Sequence, residues 1–369
     1  MDSEEILYLK VRLLLEGATL PEGYSHGRKG GAGPVGGRYF YLPNGRPCGI
    51  PIRTEPTSIK FHSSTLEHIE GDRWVYDSKY NLLEVPKPDL YDHSTSDGVE
   101  YGKVALLHGD ECLATTVVQS CKYWSSGEQC KFCTIPSSYL SGMTIREKTP
   151  SQIAEVVERA EKTGAAKHVL LTTGTSEGDD MGIGRMIEIA REIRMKSEIP
   201  IAVQFEPPLD HSYLQRLAEA GVNAVGIHIE SADDRIRAEV CPGKHQHGPI
   251  DLYVKTWDAA RKYFKPGDVT TFILYGLGED RDITLKFCED MAQRGILPIV
   301  TPIRPAPGSQ LADFTPSYVG NLDEAIEFYK ELGRTLFKYQ LNPMKTSGGC
   351  SRCGACTPIQ EAYDWASVH

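Results

Sequence analysis

The sequence predicts an α/β chain whose middle winds a parallel sheet into a partial (βα)6, TIM-like barrel, with an extension before it and a cysteine-bearing tail behind it. Three observations carry this. Six short β-rich runs alternate with helical stripes between about residues 105 and 320. Residues 1–104 are instead rich in Gly and Pro, with short extended pieces. After the last helical stripe, the segment 321–369 carries "CSRCGAC" at 350–356.

The barrel strands are read in order as "TTVVQ" 115–119, "HVLLTT" 168–173, "PIAVQF" 200–205, "NAVGIHIE" 223–230, "VTTFILY" 269–275 and "PIVTP" 298–302. The first helix spans 151–163, where Ile153, Val156, Val157 and Ala160 repeat at helical spacing behind the entry signal Thr149-Pro150-Ser151. Further helices fall near 183–197, 211–220, 252–263, 282–294 and 322–338. In such a barrel the reacting groups gather at the C-terminal ends of the strands. "GRKGGAGPVGG" at 27–37 could cradle a phosphate, but without a strand–turn–helix context it reads as a surface loop.

Composition excludes several classes of function. The formal net charge is −10 with no long Lys/Arg block, so a nucleic-acid footprint is not expected. The start "MDSEEILYLKVRLLLEG" is acidic and lacks the basic n-region of a signal peptide. No apolar run approaches about 18 residues, so no membrane span is expected, and the cytoplasm is the expected compartment.

Ten cysteines sharpen the reading. Six form two tight triplets, Cys121, Cys130, Cys133 and Cys350, Cys353, Cys356, and neither triplet has a fourth cysteine at ligand spacing. A disulfide framework does not suit a large chain without a secretory signal, whereas metal thiolates suit a reducing compartment. Cys48, Cys112, Cys241 and Cys288 read as small buried apolar residues. Zinc would want four closed ligands, and no histidine stands near the first triplet. Three thiolates instead suit a [4Fe–4S] cube with one iron left open. An open iron can chelate an amino acid's amine and carboxylate.

This arrangement resembles the radical SAM (S-adenosylmethionine) superfamily, whose usual spacing is CxxxCxxC; here the first gap is eight residues. The "CKFC" half, and its place after the first barrel strand, fit the pattern. The resemblance implies that Phe132 offers a face to the adenine and that "LLTTGT" at 170–175, through Gly174 and Thr175, meets the methionine amine. It also implies that His228 and Glu230 of "GIHIES", on one face of a strand, lie near the ribose hydroxyls. Lys255 would serve the methionine carboxylate, and "LYGLGE" at 274–279 would lie near the adenine.

A closer resemblance spans nearly the whole chain. "GGAGP", "STSDG", "LATTVVQSC", "KHVLLTTGT", "EPP", "PGK", "YGLGE" and "CSRCGAC" look like a biotin-synthase-related radical SAM family. One part of that family is uncharacterised and lies near nitrilase genes; another resembles a component of the two-component archaeal-type lipoyl synthases. The resemblance implies two [4Fe–4S] clusters and S-adenosyl-L-methionine as cofactors. The second cluster, on Cys350, Cys353 and Cys356 with Ser347 or Ser351 as a weak fourth ligand, would give up sulfur to an unactivated C–H of an octanoyl-lysine. Gln204, Glu206 and Arg304 would orient that substrate. The expected partners are an octanoylated carrier protein or peptide, a second radical SAM protein, and an electron donor such as ferredoxin or flavodoxin. Two alternatives stay open: other radical chemistry (rearrangement or methylthiolation) with the second cluster as an electron relay, and an iron–sulfur protein that binds or modifies tRNA.

Overall fold

A computed structural model of the chain describes residues 1–24, 37–53, 61 and 64–369. The glycine-rich stretch up to residue 36 lies outside the described residues.

The described residues of the N-terminal region form a helix and a six-stranded sheet where the sequence shows only short extended pieces. The region opens with a helix, Ser3–Glu16, started by Asp2, whose carboxylate accepts from the Glu5 backbone at 2.8 Å. Two stripes of this helix serve two cores. Leu7, Val11 and Leu15, four residues apart, pack into the barrel core, while Leu9, Leu13 and Leu14 pack into that of an N-terminal sheet. The sheet holds β1 (Ala18–Thr19), β2 (Gly37–Tyr41), β3 (Pro47–Pro51), β4 (Ser64–Glu70), β5 (Arg73–Tyr76) and β6 (Tyr80–Glu84), in the order β1-β4-β5-β6-β2-β3. Trp74 and Phe40 anchor its core edge to face, with centroids 5.9 Å apart.

The second sheet is the predicted partial barrel. It contains β7 (Leu106–His108), β8 (Cys112–Thr116), β9 (His168–Thr172), β10 (Ile201–Phe205), β11 (Ala224–Ile227), β12 (Val269–Tyr275) and β13 (Ile296–Pro302). The order is β13-β12-β11-β10-β9-β8-β7, with every neighbour from β8 to β13 parallel and β7 added as an antiparallel hairpin. Among the described residues the edge strands β7 and β13 are not paired with each other, so the sheet curls into a half-barrel with an open side. Helices Pro150–Lys162, Ile183–Arg194, Ser212–Glu219, Ile250–Ala260, Arg281–Gln293 and Leu322–Lys338 follow the strands as expected. The first carries a full capping box between Thr149 and Gln152.

Two strands differ from the sequence reading. β8 begins three residues before the predicted 115, because hairpin pairing of His108 with Cys112 draws the ladder N-terminal. Val118 and Gln119 then leave the sheet, bridging to Glu147 and Arg146. β11 stops at Ile227, so His228 and Glu230 do not share one strand face; Glu230 instead takes a left-handed φ of 68°.

The tail turns back under the barrel. Helix Ile359–Ala366 lies so close to Leu322–Lys338 that a Cβ on Gly333 would meet the Ala362 carbonyl at 2.2 Å. The cysteine hairpin before it is stitched to the N-terminal ends of the barrel strands. His168 Nδ1 accepts from the Gly349 N–H at 3.1 Å, Asp268 holds the Ser347 backbone and hydroxyl, and Arg352 pairs with Glu111 at 2.9 Å. The barrel floor above the hairpin is built from small side chains, Cys112, Ala114, Ala202 and Ala224, against which Cys350 and Cys353 pack. Among the described residues no helix is long and apolar enough to cross a membrane.

Candidate active site

The two cysteine triplets stand at opposite ends of one interior. Cys121, Cys130 and Cys133 come from the loop that follows β8, at the C-terminal mouth, and the second triplet comes from the tail at the floor. Between them lies a chamber of about 480 Å³, lined at once by Cys133 and by Cys350, Cys353 and Cys356. A side cavity of about 200 Å³ holds Cys121, Cys130 and Cys133 together with Gly174, Thr175, Glu206, His228, Glu230 and Lys244. Phe132, Cys133 and Gln204 line both spaces.

The side cavity is built by close backbone approach. Gly174 passes the cysteine loop so tightly that a Cβ there would sit 1.9 Å from the Ser120 carbonyl oxygen. The Lys122 N–H donates to the Thr175 carbonyl at 2.8 Å, holding the loop down. Glu206 braces the wall: Thr175 Oγ1 donates to one carboxylate oxygen at 2.6 Å and Tyr123 OH to the other at 2.9 Å. Burial, with Glu206 beside it, holds the Tyr123 phenol well above its usual range, so it remains a donor.

His228 and Glu230 bring polar groups to the opposite wall. Phe272 N–H donates to His228 Nδ1 at 3.0 Å, so the hydrogen sits on Nε2, which is buried without a partner. Burial, reinforced by Lys244, drives this imidazole well below its ordinary pKa and keeps it neutral. Glu230 accepts from Lys244 Nζ at 2.7 Å. Burial works to neutralise that lysine, but Glu230, Tyr253, Glu206 and Cys130 together outweigh it and hold Lys244 well above the usual lysine range.

Several sequence expectations are corrected by these placements. Lys255 is exposed on the outside of helix Ile250–Ala260 and lines neither space; the cation of the cavity is Lys244, from the "PGK" turn. Glu206 lines the side cavity and not the chamber, and both its oxygens are taken. Gln204 and Arg304 do line the chamber, Gln204 donating to Cys350 Sγ at 3.3 Å and Arg304 to the Gly49 carbonyl at 2.8 Å. Neither serine is placed to complete the second triplet. Ser347 is bound to Asp268, and Ser351 is buried against Thr346 Oγ1 at 2.9 Å. Two cysteines read as simple core residues abut the triplets, Cys241 hydrogen-bonded with Cys130 and Cys112 with Cys353. Sequence spacing could not reveal either, because each comes from a different element.

The chemistry of this donor set suits a cube better than a single ion. Zinc takes four closed ligands, whereas three cysteines line the side cavity. Thiolates spaced around a cavity suit a cube, which takes one thiolate per iron. The tight Gly174 cradle and the orphaned His228 Nε2 donor also fit a polar cofactor beside the first triplet.

Residues 127–291 match the family model of the radical SAM superfamily, a span that begins after Cys121 and includes Cys130 and Cys133. Over 362 residues the chain is 23% identical to the bacteriochlorophyllide c C-7(1)-hydroxylase of Chlorobaculum limnaeum, covering 92% of this chain and 86% of that protein. Among solved structures, methylornithine synthase aligns with a TM-score of 0.47 at 19% identity, over 68% of this chain and 72% of that one. The FeFe-hydrogenase maturase HydG of Carboxydothermus hydrogenoformans aligns with a TM-score of 0.45 at 18% identity, over 63% and 53% of the two chains. Residues 127–291, which include Cys130 and Cys133 and the middle strands of the half-barrel, resemble a radical SAM superfamily domain.

Proposed function

We propose that this radical SAM protein functionalises an unactivated C–H bond of an aliphatic substrate held between its two cysteine triplets, and that the product gains sulfur. One observation carries the reading: a single chamber of about 480 Å³ is lined by a cysteine of the first triplet and by all three of the second. A cluster on Cys121, Cys130 and Cys133 with S-adenosylmethionine would supply a 5′-deoxyadenosyl radical. A second cluster, on Cys350, Cys353 and Cys356, would supply the sulfur.

The chain's own residues define what fits between. Ala114, Leu170, Phe272, Leu274 and Ile303 make an apolar wall, which suits a chain of methylenes. Burial is worth about 0.8 kcal/mol per CH₂, so six or seven methylenes contribute about 5 kcal/mol. An octanoyl chain is the substrate we propose. Its carriage on lysine, and a second radical SAM protein as partner, rest on the likeness to lipoyl synthase components. An electron donor such as ferredoxin or flavodoxin follows from the chemistry. The Gln204–Cys350 hydrogen bond lies where side cavity and chamber meet, so Gln204 is placed to fix both the second triplet and the substrate's approach.

A second reading is favoured by the relative that matches 92% of this chain, a hydroxylase. In that reading the second triplet holds an electron acceptor and oxygen enters from water. The two separate in one experiment: the reconstituted enzyme, an octanoyl-lysyl peptide, S-adenosylmethionine and reductant under anaerobic conditions, followed by mass spectrometry. Sulfur on the peptide supports insertion, oxygen supports hydroxylation, and 5′-deoxyadenosine with an unchanged peptide removes the lysine-linked form of the octanoyl substrate.

A further inference from the structure

The chamber's charge and its unused hydrogen-bonding atoms point to the substrate's head group. The lining contains no aspartate, glutamate or lysine, and Arg304 supplies its permanent charge. Among the described residues Arg304 makes no ion pair; its one hydrogen bond goes to the Gly49 carbonyl, and its Nε is buried without a partner. Arg53 is half-buried, its guanidinium pushed down to about 10 chiefly by burial, with Tyr318 opposing and the like charge of Arg304 adding to the effect.

Two further orphaned atoms line the same chamber. Gln119, which follows β8, is 4% exposed and its Nε2 has no partner. Thr301 on β13 has an unpartnered hydroxyl. β13 is one edge strand of the half-barrel sheet, and Gln119 follows β8, one strand in from the other edge strand, β7. Nε of arginine and Nε2 of glutamine can only donate, and the threonine hydroxyl can. A buried donor without a partner is costly, and here all await an acceptor.

We propose that the chamber takes an aliphatic monocarboxylate, its carboxylate held by Arg304 and Gln119, which line the same space, and its chain directed between the cysteine triplets. The inference rests on the chamber being the substrate site, and it replaces a lysine-linked amide head with a free carboxylate. Arg304, Gln119 and Thr301 are then specificity-determining residues, acting on the end of the substrate that does not react.

The test is binding without turnover. Equilibrium dialysis of the anaerobically reconstituted enzyme would use labelled octanoate, with octanamide and an octanoyl-lysyl peptide as competitors. Octanoate is expected to bind about 10- to 150-fold more tightly than octanamide, the range of one charge-assisted hydrogen bond worth about 1.5–3 kcal/mol. Arg304→Gln should erase that preference, Arg304→Lys should keep part of it, and Gln119→Leu should weaken octanoate severalfold. Iron and sulfide content should be unchanged in each variant. The proposal is overturned if octanoate does not bind, if octanamide or the peptide binds as well, or if Arg304→Gln keeps the preference. It is also overturned if Arg304→Gln loses the iron of the second triplet, since the guanidinium would then balance a cluster and not a substrate. Because no turnover is measured, failure of sulfur insertion leaves this outcome legible.

Discussion

Replacing Lys244 tests whether the cofactor cavity has been assembled from the right residues. Its ammonium lies 2.7 Å from Glu230, with the two side chains 14% and 12% exposed. Removing one partner of a buried pair strands the other's charge and costs about 3–5 kcal/mol of stability. Lys244→Gln is therefore paired with the double variant Glu230→Gln/Lys244→Gln, which removes both charges and should recover much of that loss. In binding, Lys244 is the cation available to the carboxylate of S-adenosylmethionine. Losing a charge-assisted hydrogen bond of about 1.5–3 kcal/mol weakens binding about 10- to 150-fold. Lys255→Ala should leave affinity within about twofold, because the side chain is exposed and touches neither space. Equilibrium dialysis with labelled S-adenosylmethionine, alongside thermal unfolding, measures both effects. Normal binding in the folded double variant, together with a tenfold loss in Lys255→Ala, would refute the assignment.

Other outcomes follow from the same geometry. Anaerobic reconstitution should load about eight irons, and changing Cys350, Cys353 and Cys356 to Ala should halve this while reductive cleavage of S-adenosylmethionine persists. Gly174→Ala puts a methyl 1.9 Å from the Ser120 carbonyl, so it should cost about 1–3 kcal/mol and lower iron at the first triplet, read by unfolding and iron assay. His168 is fully buried and its imidazole is pushed down to about 4, chiefly by burial, with Glu111 opposing and Arg352 and Lys167 adding to the effect. The unfolded chain binds this proton near pH 6.5 and the folded one does not, so stability should fall by about 3 kcal/mol between pH 6.5 and 4, a slope missing in His168→Gln.

Much of the barrel was legible because each strand and helix is specified locally. The stripe Ile153, Val156, Val157, Ala160 and its Thr149 cap gave the helix Pro150–Lys162 directly. The N-terminal sheet was not legible, since Gly and Pro mask strands that gain stability only by packing on the helix Ser3–Glu16. The Glu230 kink escaped because nothing in "GIHIES" announces a left-handed glutamate; the bend is fixed by its backbone bonds to Phe272 and Leu274. The cysteine triplets were readable from spacing alone. Their facing positions across one chamber, the choice of Lys244 over Lys255, and the neighbours Cys112 and Cys241 depend on residues far apart in sequence.

The central claim is that the second triplet gives up sulfur to a substrate lying beside it. The direct measurement loads the enzyme with ³⁴S-sulfide, allows a single turnover in ¹⁸O-water with an eight-carbon acyl substrate, and weighs the product while following the clusters by Mössbauer spectroscopy. The account predicts ³⁴S on the carbon chain and loss of one cluster's signal. A product carrying ¹⁸O, with both clusters intact, would contradict it.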